Sequence, residues 1–176
     1  GSVPIGALGY VTFVLELSAQ LVAVGESPRR LYFASGSAGT QSGIVVGARA
    51  FHAPFTPIGV SDGQPAAELR ASCLALIAAT ADLIGLNETF REEDVVIDDH
   101  FFGPGYGVPT PECLEAIRLL AGTEAVFLEP VYTGKAMAAL TAHIRAGEIS
   151  GDEAVVFVHT GGGPSLFVHR EALVGG

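Results

Sequence analysis

The chain has 176 residues, a hydrophobic fraction of 49% and no tryptophan, which suits one tightly packed α/β domain spanning 1–176. Its formal net charge of −10 argues against nucleic acid and membranes as partners, yet allows a small anion held by backbone amides. Two cysteines, Cys73 and Cys113, make no disulfide framework and fit a reducing cytoplasm as small buried hydrophobes in helical patterns.

Residues 3–24 are strongly apolar, with Thr12, Glu16 and Gln20 recurring at helical spacing. No basic segment precedes them, and a mid-span glutamate is costly in lipid, so 8–24 are predicted to form a buried helix rather than a membrane span. Residues 30–34 read as a short buried strand, and the Gly/Ser loop at 36–43 opens a helix to about Phe51. Residues 54–60 read as a strand, which Pro54 and Pro57 assign to a sheet edge. Pro65 stands near the start of a helix through Ile84. Residues 94–98 read as a strand, 111–121 as a helix, 126–128 as a strand, and 132–134 as a turn opening a helix to about Gly147. A last strand at 154–159 runs into Gly161, Gly162 and Gly163. This rhythm predicts a mostly parallel sheet with helices on both faces.

Ligands sit at the carboxyl ends of strands in such sheets, and four loops fall after predicted strands. The first, Ser35-Gly36-Ser37-Ala38-Gly39-Thr40, starts a helix, so its amides and hydroxyls suit a phosphate; an ordinary tight turn reads the same way. It is neither a Walker loop nor GxGxxG, which counts against a dinucleotide site. The second, Gly103-Pro104-Gly105-Tyr106-Gly107, can hold Tyr106 against a flat ligand or form a plain surface turn. In the third, Tyr132 and Thr133 offer a stacking face and a hydroxyl. The plainer alternative makes Thr133 an N-cap and Lys135 a solvated first-turn residue. The fourth carries Thr160 beside His159, for which a hydrogen-bonded structural role is favoured, since no carboxylate or nucleophile adjoins it.

Taken together, Gly1-Ser2-Val3-Pro4-Ile5-Gly6-Ala7-Leu8-Gly9-Tyr10 and the stretches 35–43, 103–109, 129–136 and 157–162 resemble, in order, signatures of one family. It comprises the D-cysteine desulfhydrases and 1-aminocyclopropane-1-carboxylate (ACC) deaminases, and the resemblance covers nearly the whole chain. Thr133 and Thr160 look more like the desulfhydrase branch. The resemblance implies the large domain, here incomplete, of a pyridoxal 5'-phosphate (PLP) enzyme of fold type II, like tryptophan synthase β. By position, Ser35, Gly36, Ser37, Ala38, Gly39 and Thr40 would hold the cofactor phosphate. Tyr132 and Tyr106 would lie near the ring and substrate, Thr133 would hydrogen-bond the ring nitrogen, and Thr160 would face the substrate.

The family also needs a Schiff-base lysine, which doubles as the proton-transfer base. Lys135 is the chain's only lysine, and it matches a different position of the family. The Schiff-base lysine and the substrate-carboxylate loop belong to the family's N-terminal part. The resemblance therefore implies the C-terminal half of a lyase or deaminase that turns a small amino acid into a 2-oxo acid and ammonia. Three readings stay open: a fragment, a split-enzyme subunit completed by a complementary N-terminal half, and a degenerate relative that keeps a non-catalytic PLP- or phosphate-binding role. A homodimer is a further assembly open to it.

Overall fold

In the computed structural model, which describes residues 2–174, four parallel strands make one sheet in the order β3-β2-β1-β4. These are β1 (Arg30–Ser35), β2 (Thr56–Ser61), β3 (Val96–Asp98) and β4 (Val155–Phe157). The central strand β1 reads as an unbroken apolar run because both of its faces are covered. Leu31 and Phe33 pack with Val14, Ile44 and Phe55 on one side. Tyr32 and Ala34 pack on the other with Cys113, Ile117, Leu128 and Met137. Helices α1 (Pro4–Val24), α2 (Gly39–Ala50) and α3 (Ala66–Leu83) cover the first face, and α4 (Pro111–Glu124) and α5 (Thr133–Arg145) the second. Two short helices, α6 (Ser165–Val168) and α7 (Arg170–Val174), follow β4.

Three sequence expectations need correction. The strand expected at an edge, β2, is interior, lying between β1 and β3. Its proline is tolerated because pairing with β3 begins at Ile58, one residue beyond Pro57. Residues 126–128 form no strand: Leu128 is buried, but Val126 and Phe127 are exposed, and the Phe127 carbonyl accepts from His159 Nε2 at 2.9 Å. Helix α1 is not buried. Only Ala7, Val11 and Val14 are, while Ile5, Leu15, Val22 and Val24 face outward. Its length and apolar composition are those of a membrane-crossing helix, and here one of its stripes packs on α2.

That packing is unusually close. A Cβ at Gly43 would stand 2.3 Å from the Ala7 carbonyl oxygen, and one at Gly47 2.9 Å from Val14 Cβ. The two glycines of α2 thus let α1 settle onto it, which brings Tyr10 to the carboxyl end of the sheet.

Candidate functional site

A cavity of about 660 Å³ opens at the carboxyl ends of β1 and β2. Its first wall is the turn after β1. Ala38 adopts a left-handed φ of 67° as the N-cap of α2. The amides of Ser37, Ala38, Gly39 and Thr40 then lack a backbone acceptor among the described residues. Unpaired amides at a helix N-terminus, with the Ser37 and Thr40 hydroxyls beside them, form an anion cradle. Gly36, Ser37 and Thr40 line the cavity.

Ser35 is different. Its buried hydroxyl donates to Gln41 Oε1 at 2.7 Å, and Gln41 Nε2 donates to the Val96 carbonyl at 2.8 Å. Ser35 ties β1 to α2, and through Gln41 to β3, instead of serving the cradle by its side chain.

The second wall is the pair Tyr106 and Tyr132, whose hydroxyls hydrogen-bond each other and whose rings meet edge-on at 5.8 Å. The bond to Tyr106, and then burial, push the Tyr132 phenol up to about 12, so it stays protonated at neutral pH. Thr160 and Gly162, beyond β4, complete this side. His159 has the structural role expected of it, since Nε2 donates to the Phe127 carbonyl and Nδ1 accepts from the Gly161 amide at 3.2 Å.

Thr133 does not line the cavity, which corrects the role expected for its side chain. It is fully buried; its hydroxyl accepts from the Glu129 amide at 3.0 Å and donates to Glu129 Oε1 at 3.1 Å. Glu129, unassigned from sequence, organises this region. Its carboxylate accepts from the amides of Val131, Tyr132 and Thr133 at 2.8, 2.8 and 2.7 Å and from the Ser165 hydroxyl at 2.6 Å. The turn that presents Tyr132 is thus wound around one buried carboxylate. Gly162 (φ 90°) presses on it, and a Cβ there would meet Glu129 Cδ at 2.7 Å. Gly162→Ala should therefore lower stability by about 1–3 kcal/mol, read as a shift in the urea midpoint.

Lys135 is also fully buried, contrary to a solvated first-turn residue. Its ammonium donates to the carbonyls of Asp62, Phe102 and Gly105 at 2.8, 2.9 and 3.0 Å. It fastens the loop after β2 and the loop carrying Tyr106 to α5. Burial pulls its pKa down from the ordinary lysine value.

Sequence reasoning missed Tyr10, Asp62, Gly63 and Gln64, all of which line the cavity. The loop after β2 holds no recognisable motif. Its position alone, at the end of a strand beside β1, was the available signal. Gln64 Nε2 donates to the Gly36 carbonyl, joining this loop to the cradle.

A sequence model of the family described as "Pyridoxal-phosphate dependent enzyme" matches residues 1–161. The chain is 42% identical over 171 residues to the D-cysteine desulfhydrases of Salmonella newport (strain SL254) and Salmonella enteritidis PT4 (strain P125109). The match takes in 97% of this chain and 51% of each relative. A solved structure described as "Crystal Structure Analysis of the ACC deaminase homologue" superposes with a TM-score of 0.89 at 31% identity, over 99% of this chain and 51% of that one. The chain spans about half the length of the curated relatives it matches.

Proposed function

Because the chain belongs to the family of pyridoxal-phosphate dependent enzymes, we propose that it is the cofactor-holding, C-terminal half of a lyase or deaminase. Its substrate would be a small amino acid of the D-cysteine or ACC kind, converted to a 2-oxo acid and ammonia. The names of its relatives support this substrate class. The observation that carries the reading is the cavity itself, where free amides of a helix N-terminus stand across from two tyrosines at the carboxyl end of a parallel sheet. Its volume suits a ligand of cofactor size.

The residues present fit pyridoxal phosphate, which when bound supplies an electron sink for the carbon next to the substrate amine. The amides of residues 37–40 and the Ser37 and Thr40 hydroxyls bind the phosphate. Tyr132 and Tyr106, together on the opposite wall, would lie near the ring. Of the two threonines expected here, Thr160 is the one on the cavity wall, so its hydroxyl is the one that would reach the cofactor or substrate. Thr133 acts behind it by holding Glu129.

The lysine that carries the cofactor comes from a complementary N-terminal half, in a partner polypeptide or a longer chain. Two observations support this: the half-length match and the burial of Lys135 behind three carbonyls. The exposed apolar residues of α1 offer a surface for that half or for a second copy. Two free buried cysteines suit the cytoplasm.

Borohydride reduction in the presence of pyridoxal phosphate, followed by intact mass of every polypeptide present, tests the proposal. A pyridoxyl adduct on the complementary lysine, with Lys135 unmodified, is the expected result. An adduct on Lys135 would overturn it.

A further inference from the structure

The cradle contains one group that a phosphate site would ordinarily avoid. Asp62 follows β2 and lines the cavity, and it is only 6% exposed. Its carboxylate lies against the cradle turn, so close that a Cβ on Gly36 would fall 1.9 Å from Asp62 Oδ2. No other side chain among the described residues hydrogen-bonds that carboxylate; its own backbone amide favours the charged form, an effect smaller than that of burial, and its own carbonyl is taken by Lys135. Among the described residues that line the cavity, Asp62 is also the only carboxyl, lysine, arginine or histidine. A dianion in the cradle would thus stand beside a desolvated like charge with no wall cation to offset it.

The charged groups nearest to Asp62 do not remove the conflict. Lys135 faces it from α5, but that ammonium is committed to three carbonyls. Glu129 adds a second negative charge from the turn before α5, and the Tyr106 and Tyr132 hydroxyls are paired with each other. Protonation of Asp62 resolves the conflict, because it removes the repulsion and supplies an O–H donor where the anion's oxygens arrive.

Resting on the cradle assignment above, we propose that Asp62 makes anion binding in this cradle proton-linked: a phosphate dianion enters with uptake of one proton by the Asp62 carboxyl, which then donates a hydrogen bond to it. Burial, the largest influence on this carboxyl, already pushes it up to about 6 without a ligand. A bound dianion would push it further in the same direction.

The test uses sulfate as the probe, since it keeps its two charges across the neutral range and any proton taken up must go to the protein. The full chain, with any complementary polypeptide it carries, is titrated calorimetrically in two buffers of different ionisation enthalpy. Uptake of about one proton per sulfate near neutral pH is expected. Between about pH 6 and pH 8, wild-type affinity should fall by roughly tenfold or more, whereas Asp62→Asn should bind equally well at both. Sulfate binding without proton uptake, or equal pH slopes in the two proteins, overturns the role of Asp62 and leaves the cradle assignment standing. Failure of both proteins to bind sulfate overturns the cradle assignment and this proposal with it. If Asp62→Asn does not fold, the wild-type proton count decides alone.

Discussion

Glu129→Ala should be among the most damaging single substitutions in this chain, lowering stability by about 4 kcal/mol or more. The side chain is fully buried and accepts from three backbone amides and two hydroxyls. Alanine would leave those donors without a partner in a region closed to water. An unsatisfied buried polar group costs about 1–3 kcal/mol, and even partial rescue by an entering water leaves a large deficit against a total stability of about 5–15 kcal/mol. Glu129→Gln tests the same point more gently: it keeps the shape but turns an NH2 group toward the amides. Urea unfolding should give a much lower midpoint for alanine and an intermediate one for glutamine. A change below about 1 kcal/mol for alanine would mean that the Tyr132 turn holds its shape without the carboxylate.

Lys135→Met should have a comparable effect by the opposite route, since it keeps the aliphatic stem and removes only the ammonium. Three carbonyls from two separate loops would lose their shared donor, at a cost of about 3–5 kcal/mol. The loss would not stay local. Gly63 packs on the backbone of Tyr106, so the loops after β2 and β3 would separate and the aromatic wall would shift. Titration with pyridoxal phosphate, followed by absorbance, should therefore show weakened binding under conditions where the variant is still folded by circular dichroism. Wild-type affinity in a folded Lys135→Met protein would show that the clamp does not shape the cavity.

The backbone plan was legible in the sequence wherever pattern and packing agree. The apolar run at Arg30–Ser35 could only be a strand covered on both faces, and the turn that follows it carries the composition of an anion site. Legibility failed where a residue's partner lies far away in sequence. Pro57 looks like an edge residue until one sees that β3 starts just beyond it. Val126 and Phe127 have strand-like side chains and no neighbour to pair with. The apolar length of α1 implies burial, but whether a surface covers it is not written in its own residues. Side-chain direction was the other hidden quantity. Ser35 and Thr133 sit in the right loops, yet both hydroxyls serve internal partners, Gln41 and Glu129. Asp62 and Gln64 sit in a loop without a motif and still reach the cavity, because β2 is the neighbour of β1.

The register of the sheet also bears on the order in which this cavity assembles. β1 meets β2 through pairs such as Arg30 with Thr56, but it meets β4 through Arg30 with Val155, a far longer chain closure, and over only three residues. Ordering so long a loop costs entropy before any contact offsets it. The β1-α2-β2 unit, which holds the cradle, can therefore form early, while the Thr160–Gly162 wall arrives last and is the first to open. A ligand that touches both the cradle and Thr160 joins the earliest and latest parts of the fold. Its binding slows unfolding as well as filling a site.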